Sequence, residues 1–226
     1  MLYLILLLLL MLAIYGPQIW VRHAIRKHGK TIDALPGTGA ELAQHLVERF
    51  ELNGVNVERV SPNENYYSPV NKVIGLSPDV YDGKSLSAVA IAAHEVGHAI
   101  QYIRGEPVSR LRGRYAGRAH LVQNIGIFII ASVPLIGIVA RSPALVFALV
   151  GVGIVAMLAS VLFHALILPE EFDASFNKAL PILAEGYITE AQLPAARQVL
   201  KAAALTYVAG ALSDIFSIWR WIALLR

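Results

Sequence analysis

Residues 85–105 read SLSAVAIAAHEVGHAIQYIRG, and this stretch decides the fold around it. Apolar residues recur in it at helical spacing, its first serine suits an N-cap, and its last glycine suits a C-terminal cap. The stretch therefore predicts one apolar helix. His94, Glu95 and His98 lie inside that helix, where alanine or valine would suffice and where polar groups without partners are costly to bury.

The spacing of the two histidines predicts a metal site. On a helix, His94 and His98 lie one turn apart on the same face, so their ring nitrogens can converge on one cation. Glu95 is rotated by about 100° from His94, which keeps it off the metal but close to a water that zinc acidifies. The chain has no cysteine, so histidine and carboxylate must supply the ligands. The pattern predicts a hydrolytic zinc site with Glu95 as general base; a structural pair of satisfied histidines is the alternative.

A third protein ligand is needed, because catalytic zinc usually has three and keeps one position open. Residues 168–175, LPEEFDAS, place a proline and several acids at the start of a predicted helix. Helix capping would explain Glu170 or Asp173, but paired acids presented to the histidine helix suit a glutamate ligand. Glu171 is the predicted third ligand, and Glu170 and His164 are the alternatives.

Continuous apolar runs predict a mainly α integral membrane protein. The chain has 226 residues, of which 56% are hydrophobic. Residues 2–21 form an uncharged run of the length that a bilayer demands, and basic residues follow rather than precede it, so an uncleaved transmembrane anchor is predicted. Residues 121–140 and 144–168 predict a transmembrane hairpin. Residues 202–225 contain Asp214 and predict either a fourth span or an interfacial helix.

The distribution of lysine and arginine predicts the orientation. Basic residues near the spans lie almost entirely between the first and second spans, at Arg22, Arg26, Lys27, Lys30, Arg104, Arg110, Arg112, Arg114 and Arg118. Only Arg141 lies in the hairpin turn, so residues 22–119 are predicted to be a cytoplasmic catalytic segment. Residues 169–201 would then return the third ligand to the cytoplasm, within one metallopeptidase domain over residues 1–226. The +3 charge comes without a basic patch interleaved with aromatics, so the partner is predicted to be the lipid bilayer and not nucleic acid.

The rest of the cytoplasmic segment predicts a small α+β region. Residues 39–50 have helical spacing, and an Asn-Gly turn leads to an alternating strand at 55–60. Residues 61–69 have loop composition, and residues 72–77 predict a second short strand.

Three strings in the chain resemble those of a known family, the YugP-type neutral zinc metallopeptidases of bacterial membranes. They are LSPDVYDGKSLSAVAIAAHEVGHAIQ at 76–101, LPEEFDAS at 168–175 and KAAALTYVAGAL at 201–212. The order of HExxH, membrane hairpin and EFDAS is also similar to that of CAAX prenyl-type membrane zinc proteases. The glutamate of their E-F-x-A-D motif is a zinc ligand, which favours Glu171 over Glu170. The resemblance implies one zinc per chain, held by His94, His98 and Glu171, and a plasma membrane enzyme.

This chain departs from both families at particular residues. Ser175 stands where the CAAX-type motif ends in aspartate, and its acid lies at Asp173 instead. Residues 65–69 read NYYSP, where the first family has an Asp-His-Tyr-Asp-Pro pattern. Both departures affect residues expected near the metal or the substrate.

The related proteases also suggest how the substrate could be bound. If residues 72–77 form an exposed edge strand, a peptide can pair with its backbone; an ordinary paired core strand is the alternative. Independently of that resemblance, Tyr207 is the candidate for an additional donor to the oxyanion, although a membrane-interface anchor is the commoner role of a tyrosine at such a place.

The sequence thus predicts a zinc-dependent endopeptidase acting on membrane-associated or misfolded polypeptides. The alternative from another class is a catalytically idle, zinc-stabilised membrane scaffold or assembly factor for a partner protein. A transporter is disfavoured, because charged and helix-breaking residues do not recur at matching places in paired halves. Whether the chain forms a homo-oligomer leaves no trace in the sequence.

Overall fold

The computed structural model describes the backbone of residues 2–224; the side chains of residues 2–4, 6–8, 10, 14, 211 and 213–224 lie outside the described part. In chain order the elements are α1 Leu2–Lys27, α2 Gly39–Arg49, β1 Asn56–Arg59, β2 Tyr66–Ser68, β3 Val73–Leu76, α3 Pro78–Tyr81, α4 Leu86–Ile103, α5 Arg110–Ala140, α6 Pro143–Ala165, α7 Leu168–Phe172, α8 Leu180–Ala184 and α9 Leu193–Leu224. A π-helical segment, Asp173–Ala179, joins α7 to α8, and 3-10 turns lie at Pro107–Ser109 and Glu190–Gln192.

The chain divides into two compact units. The mixed unit comprises Trp20–Arg110 and Leu168–Thr206, and it contains the sheet, α4 and the π-helical segment. The helical unit comprises Met1–Ile19, Leu111–Ile167 and Tyr207–Arg226.

Helix α4 is the central element of the mixed unit, and it confirms the helix predicted from residues 85–105. The Ser85 hydroxyl caps it by accepting a hydrogen bond from the backbone N–H of Ala88 at 3.1 Å. Gly105 follows its end with φ +64, a conformation that glycine adopts without strain. Every residue from Leu86 to Gln101 is buried, because α2, the sheet and the π-helical segment all pack against this helix.

The sheet has the strand order β1-β3-β2, with β3 parallel to β1 and antiparallel to β2. The strands predicted at 55–60 and 72–77 are confirmed by β1 and β3. The loop predicted at 61–69 is wrong over Tyr66–Ser68, which form β2. That strand is only three residues long and lies among residues of loop composition, so pairing with β3 creates it rather than local propensity.

Two alternatives were open for residues 72–77, an exposed edge strand and an ordinary paired strand, and the structure has the paired strand. β3 has a hydrogen-bonded neighbour on each side, so its backbone groups are already paired. Among the described residues, β1 and β2 are the edges of this sheet.

In the helical unit, α5 and α6 are joined by a tight turn at Arg141, which has φ +48. Their backbones approach closely at two glycines: a Cβ on Gly126 would lie 2.9 Å from the carbonyl oxygen of Gly153. Small residues at such crossings are typical of helices packed in a membrane. The two helices can approach this closely because glycine has no side chain.

Two helical stretches, Pro107–Ala140 and Pro143–Ala184, are long and apolar enough to cross a membrane. Large apolar side chains on them are exposed, among them Phe128, Leu135, Ile138, Phe147 and Leu162. Helix α1 covers the span predicted at 2–21, and α9 covers residues 202–224 of the span predicted at 202–225; that either helix crosses a membrane stays a prediction. The Asp214 side chain lies outside the described residues.

The N-cap of α4 gives a first testable prediction. Replacing Ser85 with alanine removes the acceptor for the Ala88 N–H and should lower the free energy of unfolding by about 1 kcal/mol. Ser85→Asp, which keeps an acceptor, should stay close to wild type. Denaturation midpoints measured in detergent would decide, and equal midpoints for wild type and Ser85→Ala would contradict the capping role.

Candidate metal centre

Three buried side chains of the mixed unit point their ligand atoms at one another. His94 and His98 project from α4, and Glu171 projects from α7. The two Nε2 atoms lie 3.1 Å apart, and each lies 3.3 Å from Oε2 of Glu171. Glu171 is only 1% exposed. The structure thus brings together the three residues predicted as ligands.

The hydrogen bonds of His94 determine which of its nitrogens carries the proton. Its Nδ1 lies 2.9 Å from the Ser175 hydroxyl oxygen, and that hydroxyl donates its own hydrogen to the carbonyl of Leu200 at 3.1 Å. Ser175 must therefore accept from His94, so the proton is on Nδ1. The Nε2 atom keeps a lone pair that faces the other two ligands.

The same conclusion holds for His98 through a different partner. Its Nδ1 lies 2.9 Å from Oε1 of Gln101. The amide nitrogen of Gln101 donates to the Glu170 carbonyl at 2.9 Å and to Oδ2 of Asp173 at 2.8 Å, which fixes the amide orientation. Gln101 Oε1 is then the acceptor and His98 Nδ1–H the donor, so Nε2 of His98 also has a lone pair.

The resulting donor set fits a divalent cation. Two imidazole lone pairs and a carboxylate oxygen face one another inside the protein, and three acceptors at this distance repel unless a cation lies among them. Ligands of a tetrahedral zinc at about 2.0–2.1 Å lie about 3.3–3.4 Å apart, close to the observed spacing. Among the described residues, His94, His98 and Glu171 form the group that could hold a metal ion.

A close contact between backbones places the acid opposite the histidines. A Cβ on Gly97, the glycine inside the HExxH sequence, would lie 2.8 Å from the carbonyl oxygen of Ala174. Glycine at this position lets the π-helical segment lie directly against α4. Such π-helical turns are frequent at functional sites, and this one follows Glu171 by two residues and carries Ser175.

The two alternative ligands have other environments. Glu170 is buried on α7, and its backbone carbonyl accepts from Gln101. His164 belongs to the helical unit, where its Nδ1 bonds the backbone carbonyl of Ser160 at 2.8 Å. The observed group contains neither residue.

Glu95, the predicted general base, is 6% exposed. Among the described residues, no hydrogen bond or ion pair holds its carboxylate. A buried carboxylate without a protein partner is suited to bind a water or a substrate group. It lies on α4 next to the histidine face, in line with the exposed ring of Tyr102 two turns further along.

Sequence reasoning missed Tyr67 on β2. Its ring centroid lies 6.1 Å from that of Tyr102, and its hydroxyl is buried without a hydrogen-bond partner among the described residues. Burial raises the pKa of the Tyr67 phenol, and the neighbouring Tyr102 phenol raises it further. Tyr67 therefore remains a neutral hydrogen-bond donor at physiological pH. The sequence carries no signal for Tyr67, because the segment around it has the composition of a loop.

Sequence reasoning also missed the role of Gln101 and left that of Ser175 open. Gln101 lies three residues after His98, where an acceptor on the same helix face can reach Nδ1, and that spacing was the available signal. Tyr207, predicted as an oxyanion donor, lies in the helical unit. Its ring stacks on His164 with centroids 6.4 Å apart, and Arg112 lies 5.2 Å from its centroid. Its catalytic role stays a prediction.

The fold and the site define a mainly helical protein with a buried centre suited to a metal ion. The chain belongs to the family described as "putative neutral zinc metallopeptidase", whose sequence model matches residues 3–226. It is also similar to the "putative membrane protease YugP" of Bacillus subtilis (strain 168). The two are 32% identical over 218 residues, which cover 94% of this chain and 93% of the relative. No solved structure matches the chain. The family resemblance inferred from the three sequence strings is confirmed.

Exchanging each of the neighbouring acids for its amide tests the third ligand. Glu171→Gln should lose bound zinc, because an amide is a weaker ligand and its NH₂ can bond the histidine lone pairs in place of the ion. Glu170→Gln, the matched control, should keep the metal. Zinc per chain would be measured on purified protein beside His94→Ala. One zinc per chain in purified Glu171→Gln would show that another residue is the third ligand.

A methyl group at Gly97 tests the close backbone contact. Gly97→Ala should push Ala174 away from α4, cost about 1–3 kcal/mol of stability and reduce zinc occupancy. Gly113→Ala is the control, since a Cβ at that helical position would meet nothing within 4 Å apart from the adjacent backbone of its own helix. Unfolding midpoints and metal content would be compared. Full zinc content and stability in Gly97→Ala would show that the contact is not needed.

Proposed function

We propose that this protein is a membrane-embedded, zinc-dependent endopeptidase. The observation that carries the proposal is the buried triangle of acceptor atoms from His94, His98 and Glu171, with sides of 3.1 and 3.3 Å. Three acceptor atoms buried this close together repel one another unless positive charge lies among them, and the family is one of zinc metallopeptidases.

His94, His98 and Glu171 would hold one zinc per chain. When bound there, zinc supplies Lewis-acid chemistry, acidifying a water and polarising the scissile carbonyl. The proposed task of Glu95 is to take a proton from that water and then give it to the leaving amine. Ser175 and Gln101 keep both histidine Nδ1 atoms protonated, so each ring can offer only Nε2 to the metal.

The substrate is proposed to be a polypeptide that pairs with a sheet edge. Since β3 is paired on both sides, β1 and β2 offer the free backbone groups. β2 is the better edge, because its Tyr67 ring packs on Tyr102, one helical turn beyond His98. Backbone pairing reads little sequence, which suits loose specificity for membrane-associated or misfolded proteins.

The cellular setting follows from the apolar helices and the charge distribution. The relative in Bacillus subtilis is named a membrane protease, and two stretches of this chain can cross a membrane. The excess of lysine and arginine in residues 22–119 favours a cytoplasmic location for that segment. We propose a bacterial plasma membrane enzyme whose catalytic residues face the cytoplasm.

Replacing Glu95 distinguishes a peptidase from a zinc-stabilised scaffold. Glu95→Gln should keep one zinc per chain and lower the turnover of peptide by about 10²–10⁴-fold, because the amide cannot take the proton. Glu48→Gln, at an exposed position of α2, is the control and should match wild type in both measurements. Zinc content and peptide hydrolysis would be measured on the same preparations.

Two outcomes would contradict the proposal. Unchanged turnover in Glu95→Gln would refute the assigned base. A wild-type protein that binds zinc but hydrolyses no peptide would instead favour the scaffold.

A further inference from the structure

The two histidines are held by different kinds of partner. His94 is held by neutral groups: its Nδ1–H donates to the Ser175 hydroxyl, which donates a hydrogen bond to the backbone carbonyl of Leu200. His98 is held by Gln101, whose amide connects to the charged side chain of Asp173. The hydrogen bonds that start at His98 therefore lead to charged side chains, whereas those that start at His94 end at a backbone carbonyl.

Asp173 is fixed on both carboxylate oxygens. Its Oδ2 accepts from Gln101 at 2.8 Å and contacts the ammonium of Lys178, while its Oδ1 accepts from the amide of Asn177 at 2.8 Å. Gln101 itself is fully buried. Since Gln101 can accept from His98 only while its NH₂ points to Asp173 and Glu170, the position of Asp173 determines the orientation of the Gln101 amide.

Lys178 lies between two acids. Besides Asp173, its ammonium contacts Oε2 of Glu106 at 2.7 Å, and its side chain is 12% exposed. An ammonium buried to this extent is costly without counter-charges, so the acids and the lysine hold one another in place. Removing Lys178 leaves two carboxylates without their counter-charge, and removing either acid leaves the lysine with a single partner.

The position of this network in the chain gives it a further role. Glu106 directly precedes the 3-10 turn that leads into α5, whereas Asp173 and Lys178 follow α6 and α7. Within the mixed unit, the network joins the segment that leaves towards the apolar hairpin to the segment that returns from it. Closing so long an excursion costs chain entropy, which specific contacts at its two ends offset.

We propose that a series of four linked side chains, the positioning arm, orients His98 for the metal. The arm runs from Glu106 through Lys178 and Asp173 to Gln101. These are positioning residues, because none of them belongs to the ligand set; Gln101 bonds only the far nitrogen of His98. The arm makes the affinity of the centre for zinc depend on an ion pair at the ends of the hairpin. The affinity part of this inference rests on the proposed zinc site, and the orientation of His98 does not.

The experiment compares near-isosteric variants by two readouts. Asp173→Asn, Glu106→Gln and Lys178→Met would be studied beside Lys201→Met, a control on an exposed lysine of α9. Zinc affinity would be measured by competition with a chelator. Side-chain NMR of ¹⁵N-histidine in the metal-free protein would report the Nδ1–H signals of His94 and His98 separately.

We expect Asp173→Asn and Lys178→Met to weaken zinc binding by about 10–100-fold, the usual effect of losing a partner behind a histidine ligand. Glu106→Gln should weaken it in the same direction by a smaller factor, because the pair of Lys178 and Asp173 remains. The His98 Nδ1–H signal should shift or disappear in these variants, while the His94 signal remains. Ser175→Ala should have the opposite pattern, altering the signal of His94 only. Lys201→Met should match wild type throughout.

An unchanged His98 signal and wild-type zinc affinity in folded Asp173→Asn and Glu106→Gln would overturn the arm. These two variants decide the question even if Lys178→Met does not fold. If wild-type protein binds no zinc, the proposed function fails, whereas the His98 signal in the metal-free protein still tests the arm.

Discussion

The close contact between α4 and the π-helical segment at Gly97 is the constraint on which the centre depends. With no side chain at Gly97, the Ala174 backbone lies against the histidine helix. That distance brings Ser175 within reach of His94 and lets Glu171 face both histidines. The glycine of the HExxH sequence thus has a structural role that is separate from the metal chemistry of its neighbours.

The contact also creates an electrostatic problem that a cation solves. Packing this close encloses two histidine lone pairs and a carboxylate in a region with almost no exposure to solvent. Because each Nδ1 is already a donor, protonation of the imidazoles is not needed to satisfy their hydrogen bonds. Metal binding and the packing of the mixed unit should therefore stabilise each other, as they do in many small metal-binding folds.

Family membership and site geometry support each other at different levels. The family establishes a zinc metallopeptidase relationship over nearly the whole chain. The geometry adds which side chains of this chain hold the two histidines. Ser175 bonds His94 directly, and Asp173 acts on His98 through Gln101.

The sequence by itself determined the features that are local. The cap, apolar periodicity and histidine spacing of α4 lie within one helix, where 3.6 residues per turn fixes which side chains share a face. The tertiary structure decided which distant groups meet them. Ser175 is 81 residues from His94, and the apolar hairpin lies between them, so spacing could not show that they touch. It likewise decided that β2 exists and that β3 is central, since a three-residue strand is formed by its partner and not by its own sequence.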